Sequence, residues 1–124
     1  MNVLCVCALG EHRSKLAANY LAAQGFITRY RGSETHSTNP ITQEDLTWAQ
    51  AIIYARSRHQ VLVHERFVVG SKPEFVLDVT DDPVLVPELW RRVLIKDPDR
   101  FYQEYTRPLV EEKLKELISS LNSK

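Results

Sequence analysis

The sequence predicts an α/β fold in which a parallel sheet is covered by helices on both faces. Segments with the apolar character of strands alternate with segments of helical periodicity along the 124 residues. The strand segments are apolar along their whole length instead of alternating with polar residues, and this pattern is typical of strands buried on both faces. A chain of this length corresponds to one domain that can bury a core without disulfides or metal. We therefore expect a single domain over residues 1–124.

The first predicted unit is a strand followed by a loop and a helix. Residues 1–7 form an apolar run, and residues 14–24 place leucine, tyrosine and alanine side chains at helical spacing. Gly25 follows at the position where helices commonly end. Residues 8–13 therefore connect the end of a buried strand to the beginning of a helix.

The middle of the chain continues this alternation. Further strands are predicted at residues 26–32, 51–55 and 74–77. Thr42 and Asp45 have the spacing of a helix-capping sequence and predict a short helix through Ala49, and residues 57–67 have the length of another helix. Strands separated by helices in this way are expected to be parallel.

The C-terminal part of the chain is predicted to be helical. Pro87 stands at a first-turn position of one helix, and residues 101–121 repeat apolar side chains at helical spacing. Residues 97–99 separate the two helices. The charged residues between the apolar positions predict an amphipathic helix that covers the sheet and turns a charged face to solvent.

Composition and charge exclude several classes of protein. The chain carries 16 basic and 16 acidic residues, which gives no general reason to expect nucleic acid or a membrane surface as a partner. The N-terminal apolar run is too short to span a membrane and lacks a leader pattern, so we expect a cytoplasmic protein. The two cysteines are spaced C-x-C in an apolar strand, and the histidines form no cluster with them. We therefore expect no disulfide framework, no metal site and no cofactor.

Cys7 and Arg13 lie six positions apart at the junction of the first strand and the first helix. A tight loop between a strand and a helix leaves backbone N–H groups unpaired at the positive end of the helix dipole, where a tetrahedral oxyanion can bind. A thiol held there has a lowered pKa, and an arginine supplies a two-pronged donor for phosphate oxygens. The pattern therefore predicts a nucleophilic thiolate and an anion-binding side chain in one loop, the Cys7 loop (residues 7–14).

The second cysteine, Cys5, lies on the same face of the predicted strand as Cys7. It is either a core residue or a redox partner of Cys7. A strand holds two such residues near the upper limit of the Cα separation that a disulfide allows, which favours the core.

Residues 3–14 (VLCVCALGEHRS) resemble the C-x5-R-S signature that follows the first strand of the low-molecular-weight protein tyrosine phosphatases. Residues 42–53 resemble the family's helix and third strand, and residues 77–83 (LDVTDDP) resemble its general-acid loop. The resemblance covers roughly residues 1–95. It implies a flavodoxin-like, four-stranded parallel sheet in the order 2-1-3-4, with the active site at the carboxyl ends of the strands.

The resemblance also implies a role for each residue of the Cys7 loop. Cys7 corresponds to the nucleophile, Arg13 to the phosphate-binding arginine and Ser14 to the hydroxyl that stabilises the thiolate. The expected phosphate-binding residues are Ala8, Leu9, Gly10, Glu11, His12, Arg13 and Ser14.

Three aspartates are candidates for the general acid. Alignment on the Asp-Pro pair that is common in the family selects Asp82. Counting from the end of the last strand selects Asp81, while Asp78 lies nearest to that strand. We favour Asp81 slightly over Asp82 as the catalytic acid.

The Cys7 loop departs from the family pattern at two positions. Gly10 stands where the family usually has an asparagine in a left-handed conformation, which glycine adopts without strain. His12 replaces the family's second loop cysteine, so the protecting disulfide cannot form. The side chain of His12 either touches substrate or faces solvent. The related arsenate reductases use two further downstream cysteines, and this chain has none after Cys7.

These observations predict a cysteine-dependent phosphatase that hydrolyses a phosphomonoester through a phosphocysteine intermediate. The expected substrate is phosphotyrosine in proteins, and the partner is a phosphorylated protein or a small phosphomonoester. The alternative is a binding module of the same fold that senses phosphate or a phosphoprotein with negligible turnover. Glu11 favours this alternative, because a carboxylate pointing into the loop would repel phosphate. The remaining histidines, His36, His59 and His64, share no spacing and are predicted to lie on the surface.

Overall fold

The computed structural model describes residues 1–80 and 82–122, and these residues form a four-stranded parallel sheet with helices on both faces. The strands are β1 (Asn2–Cys7), β2 (Ile27–Gly32), β3 (Ala51–Tyr54) and β4 (Glu74–Val76). Their order across the sheet is β2-β1-β3-β4, and each neighbouring pair is parallel. The predicted fold class and strand order are confirmed.

The helices alternate with the strands and then continue to the C-terminus. They are α1 (Arg13–Ala23), α2 (Gln43–Trp48), α3 (Ser57–Arg66), α4 (Glu88–Lys96), α5 (Pro98–Phe101) and α6 (Arg107–Asn122). Helices α1 to α4 fall at the predicted places, within one residue of each predicted end. None of these described helices is both long enough and apolar enough to cross a membrane.

Strand β1 contributes to a core on each face of the sheet. Val3 and Cys5 point into a core that α1 and α6 complete, and Leu4 and Val6 point into a second core on the α2 and α3 side. All four side chains are at most 1% exposed. Burial on both faces explains why the strand sequence is apolar without alternation.

The N-terminus of α2 is tied to the edge strand β2. The Thr42 hydroxyl accepts a hydrogen bond from the Asp45 N–H at 3.2 Å, and the Asp45 carboxylate accepts one from the Thr42 N–H at 3.0 Å. This is the predicted capping box. Asp45 is also buried and accepts hydrogen bonds at 3.1 Å from both Arg29 and Arg31 on β2.

The C-terminal helical region differs from the single helix predicted over residues 101–121. Helix α5 begins earlier, at Pro98, and a π-helical turn (Tyr102–Thr106) separates it from α6. The Arg107 N–H donates to the Tyr102 carbonyl five residues back. Pro108 has no N–H to donate to the carbonyl four residues earlier, which gives a local reason for the widened turn.

The carboxyl ends of the four strands lie along one edge of the sheet. Cys7 at the end of β1 pairs with Gly32 at the end of β2, and Tyr54 at the end of β3 pairs with Val76 at the end of β4. In open parallel sheets ligands bind at this edge. The Cys7 loop begins there.

Candidate active site

The backbone of the Cys7 loop is held from outside by the segment that follows β2. The carbonyls of Cys7 and Ala8 accept hydrogen bonds from the N–H groups of Ser33 at 2.8 Å and Glu34 at 3.0 Å. The Leu9 carbonyl accepts one from the Ser37 hydroxyl at 2.5 Å. The loop carbonyls therefore face away from its centre. The Cys7 sulfur, in contrast, is approached by a backbone donor, because the N–H of Gly10 donates toward it.

Gly10 allows the loop to pass very close to β2. Its φ is +70°, so the left-handed conformation expected at this position is confirmed. A Cβ at Gly10 would also lie 2.6 Å from the carbonyl carbon of Arg31 and 2.6 Å from the nitrogen of Gly32. Both neighbours are backbone atoms, which cannot rotate away as a flexible side chain can. Glycine is therefore required here for space as well as for conformation.

The Cys7 thiol lies at the centre of the loop and is 3% exposed. Its Sγ is 3.1 Å from the Ser14 hydroxyl oxygen. Burial alone would raise the pKa of the Cys7 thiol. The Ser14 hydroxyl, the N–H groups of Ser14 and Gly10, and the charge of Arg13 outweigh burial, so the pKa lies below its ordinary value. The arrangement favours a thiolate at this position.

Cys5 has a different environment two residues earlier in the strand. It is fully buried in the apolar core, and both cysteines are free thiols. Burial and the negative charge at Cys7 raise the pKa of the Cys5 thiol well above its ordinary value. Cys5 is therefore a core residue and an inert thiol.

Arg13 joins the Cys7 loop to the segment after β4. Arg13 is only 5% exposed, and the Nη1 of its guanidinium donates to the Val79 carbonyl at 2.7 Å. Val79 belongs to residues 77–83, the predicted general-acid segment; these residues and the turn that follows them, residues 77–86, are called the Asp loop below. The candidate nucleophile, the candidate phosphate-binding arginine and the beginning of the Asp loop are thus brought together.

The structure describes two of the three candidate acids, Asp78 and Asp82. Asp78 has φ +60° and is exposed, between the buried side chains of Leu77 and Val79. Asp82 is exposed, and its carboxylate accepts a hydrogen bond from the Val84 N–H at 3.0 Å. Asp81 lies outside the described residues. The carboxylate of Asp82 is therefore engaged in the turn that follows it.

Glu11 and His12 are the exposed residues of the Cys7 loop nearest to Arg13. The Glu11 carboxylate accepts a hydrogen bond from the Thr38 hydroxyl at 2.8 Å, so it is held toward the segment after β2. The His12 ring lies edge-on to the Tyr102 ring, with 5.9 Å between centroids. A cleft of about 560 Å³ opens at this place and is lined by His12 and Arg13 on one side and by Tyr102 on the other.

His59 is a residue of this region whose place was predicted wrongly. His36 and His64 are exposed as expected, but His59 is fully buried in the first turn of α3. Its Nδ1 lies 3.2 Å from the Ser33 hydroxyl oxygen, and the Ser33 N–H donates to the Cys7 carbonyl. His59 therefore contacts the residue whose N–H group holds the Cys7 carbonyl. A sequence signal exists, because His59 and the buried Val63 share one helix face at i, i+4.

Burial, together with the charges of Arg13, Arg58 and Arg56, lowers the pKa of His59 to about 3. The unfolded chain binds a proton at this residue below its ordinary pKa of about 6.5, whereas the folded protein stays neutral. The stabilisation is therefore complete above pH 6.5 or so and is lost as the pH falls toward the folded value.

We expect the free energy of unfolding to fall by roughly one kcal/mol per pH unit below about pH 6 because of His59 alone. Urea unfolding at several pH values from 7 to about 4.5 measures this slope. The variant His59→Asn can still bond to Ser33 and should flatten the slope. The control His36→Gln removes an exposed histidine and should leave the slope as in the wild type. Equal slopes in His59→Asn and the wild type would contradict this account.

The fold has been seen in solved phosphatase structures. The arginine phosphatase YwlE from Geobacillus stearothermophilus has a TM-score of 0.70 at 19% sequence identity, covering 98% of this chain and 93% of that one. A low-molecular-weight phosphotyrosine phosphatase from Vibrio cholerae has a TM-score of 0.69 at 15% identity, covering 98% and 97%. The chain has the fold of the low-molecular-weight protein tyrosine phosphatases. A further structure with this phosphatase fold is a cysteine-to-serine mutant of YwlE with a phosphorylated active-site serine, with a TM-score of 0.66 at 18% identity, covering 98% and 96%.

At the level of sequence, no protein-family model and no curated protein matches the chain. The similarity is therefore one of fold. Among residues 1–80 and 82–122, no three His, Cys, Asp or Glu side chains are grouped so that they could hold a metal ion.

Proposed function

We propose that this protein is a cysteine-dependent phosphatase that hydrolyses phosphomonoesters. The observation that carries the proposal is the environment of Cys7, a thiol with a lowered pKa toward which the N–H groups of Gly10 and Ser14 donate. Ser14 and Arg13 supply a hydroxyl and a guanidinium to the same place. A thiolate surrounded by anion-binding donors is suited to attack a phosphorus atom whose charge those donors neutralise.

The proposed reaction has two steps. The Cys7 sulfur attacks phosphorus, an S–P bond forms, and the O–P bond to the leaving group breaks while an aspartate of the Asp loop gives its proton to the leaving oxygen. The same carboxylate then accepts a proton from water as the water oxygen attacks phosphorus. The S–P bond breaks, which releases inorganic phosphate and the Cys7 thiolate. Arg13 and the N–H groups of residues 8–14 hold the phosphoryl oxygens in both steps.

A covalent phosphoryl intermediate is supported by a solved structure of similar fold. The mutant YwlE structure carries phosphate on its active-site serine in place of a cysteine. The corresponding intermediate here would be a phosphocysteine at Cys7.

We assign the general acid to Asp81 in preference to Asp82. The carboxylate of Asp82 accepts the Val84 N–H and thereby builds the turn after it. Asp78 is exposed, has φ +60° and precedes the buried Val79, whose carbonyl contacts Arg13. The proposal uses Asp81, which counting from the end of the last strand also selects.

A leaving-group contrast tests this assignment. Proton donation matters for a poor leaving group such as phenol and little for nitrophenol. We expect Asp81→Asn to lower kcat/KM on phenyl phosphate by roughly 10²- to 10⁴-fold, with a small loss on p-nitrophenyl phosphate. Asp78→Asn and Asp82→Asn are the matched variants and should lose little on either. A contrast in Asp82→Asn instead would move the acid to that residue.

The proposed substrate class is phosphotyrosine in proteins. The cleft beside Arg13 has the aromatic side chains of His12 and Tyr102 in its wall, and such rings pack well against a phenyl group. Its volume of about 560 Å³ exceeds that of one side chain, so neighbouring residues of a protein substrate would also find room. The two free thiols suit a reducing compartment, so we place the reaction in the cytoplasm.

Steady-state hydrolysis of p-nitrophenyl phosphate and of phosphopeptides tests the proposed function. We expect turnover that vanadate inhibits, loss of turnover in Cys7→Ser, and faster hydrolysis of phosphotyrosine peptides than of phosphoserine or phosphoarginine peptides. The control Cys5→Ser should retain turnover. A preference for phosphoarginine would revise the substrate, and the absence of turnover on every ester would overturn the function.

The position of the Glu11 carboxylate does not favour the alternative, a binding module with negligible turnover. That alternative relied on a Glu11 carboxylate pointing into the loop. The carboxylate is bound to Thr38 and is exposed. It therefore does not occupy the centre of the loop, where phosphate would bind.

A further inference from the structure

The turn at residues 82–86 is held by an arginine of the following helix. The Arg91 Nε donates to the Pro83 carbonyl at 2.5 Å, and its Nη2 donates to the carbonyls of Val84 at 3.4 Å and Val86 at 3.2 Å. One guanidinium thus binds three carbonyls of a single turn. The planar fork of arginine presents donors on separate nitrogens toward these carbonyls, whereas the donors of a lysine all radiate from one nitrogen.

The turn has a defined internal shape. The Asp82 carboxylate accepts the Val84 N–H, and the Asp82 carbonyl accepts the N–H groups of Leu85 at 3.0 Å and Val86 at 3.2 Å. The Asp82 N–H donates to the Thr80 hydroxyl at 3.0 Å. These hydrogen bonds make residues 82–86 one structural unit. A shift of this unit would therefore move Asp82, its first residue.

Apolar packing does little to fix the position of this unit. Val84 is 79% exposed and Leu85 is 52% exposed, while Val86 is buried. Helix α4 itself has no buried residue. Its Trp90 ring lies 5.4 Å from that of Tyr105. The hydrogen bonds of Arg91 therefore tie the turn to α4, the helix that follows it.

The other end of the Asp loop has its own attachment. The Val79 carbonyl accepts the Arg13 guanidinium, and the Val79 N–H donates to the Ala55 carbonyl at 2.9 Å. The stretch that contains the candidate acids is thus attached upstream through Arg13 and downstream through Arg91. The upstream attachment is part of the candidate active site, and the downstream one lies on α4, whose Leu94 lines the cleft beside Arg13.

We infer that Arg91 is a positioning residue for proton transfer, because its three hydrogen bonds fix the 82–86 turn, which adjoins the candidate acids of the Asp loop along the chain. This inference rests on the proposed phosphatase function. It assigns to α4 a role in the reaction although α4 contributes no side chain to the loop that binds phosphate. Removal of Arg91 should impair the donation of the proton and leave phosphate binding and thiolate attack intact.

The test compares two esters that differ in their need for an acid. In Arg91→Ala we expect kcat/KM on phenyl phosphate to fall by roughly ten- to a hundredfold, a part of what a general acid contributes, and on p-nitrophenyl phosphate by less than about threefold. The basic limb of the pH profile on phenyl phosphate should weaken in parallel. Arg91→Lys should restore a fraction of the loss, since one of the carbonyls can still be bound. The control Arg92→Ala removes an exposed arginine whose guanidinium lies 3.6 Å from the Glu88 carboxylate, and it should match the wild type.

Hydrogen exchange tests the attachment itself. The amides of Leu85 and Val86 should exchange faster in Arg91→Ala than in Arg92→Ala. Equal losses on the two esters, or unchanged exchange in Arg91→Ala, would overturn the inference while the phosphatase function stands. A wild-type protein that hydrolyses neither ester would overturn the proposed function and, with it, the role in proton transfer.

Discussion

Replacing Arg13 with lysine is expected to lower kcat by about two to three orders of magnitude on phosphotyrosine peptides and p-nitrophenyl phosphate alike. Lysine keeps the positive charge. It loses the planar pair of donors that matches two phosphoryl oxygens, and it also loses the geometry with which Arg13 reaches the Val79 carbonyl. The Cys7 loop and the Asp loop would then no longer share one side chain.

Steady-state kinetics and circular dichroism of Arg13→Lys measure this effect and check that the fold persists. The matched control is Arg92→Lys, the same exchange at an exposed site on α4. Its kcat should equal that of the wild type. If Arg13→Lys retains kcat within a few-fold of the wild type, charge alone is sufficient and the two-pronged role assigned to Arg13 is wrong.

Replacing Gly10 with asparagine is expected to destabilise the protein, although asparagine is the residue that the family resemblance suggests there. Asparagine tolerates the left-handed conformation better than most residues, so the φ of +70° is not the main obstacle. The new Cβ would approach the backbone at Arg31 and Gly32 to 2.6 Å. We expect the free energy of unfolding to fall by about 1–3 kcal/mol from this overlap, with a loss of activity as the Cys7 loop shifts.

Urea unfolding of Gly10→Asn measures the effect, and Gly70→Asn is its control. Gly70 has φ +84°, and a Cβ there would meet nothing within 4 Å. The control therefore carries the same change of side chain and a similar backbone conformation without the overlap. Equal free energies of unfolding for the two variants would contradict the spatial argument.

Much of the fold was predictable because local and tertiary signals agree. The apolar run of β1 is explained by its burial on both faces, and the spacing of Thr42 and Asp45 gave the capping box of α2. The π-helical turn was not predictable from periodicity, because an apolar repeat is compatible with one extra residue in a turn. Pro108 was a local signal for that irregularity.

The candidate site was predictable where its residues are neighbours in sequence. The spacing of Cys7, Arg13 and Ser14 sets the geometry of a loop that opens a helix, and a sulfur-to-hydroxyl distance of 3.1 Å agrees with that geometry. His59 was missed because its contact is made across the fold, with a residue 26 positions earlier in the chain, and its i, i+4 spacing with Val63 was the signal available. Arg91 was missed because its hydrogen bonds go to backbone carbonyls of an irregular turn, which a side-chain pattern does not reveal.

The direct test of the central claim is to trap the reaction after the first step. Rapid acid quench of the wild type during turnover of p-nitrophenyl phosphate, followed by peptide mass spectrometry, should find one phosphoryl group on Cys7 and none on Cys5. The pKa of Cys7 lies below its ordinary value and that of Cys5 well above it, so only Cys7 can attack as a thiolate. Turnover without a phosphoryl group on Cys7, or with that group on another residue, would contradict the account.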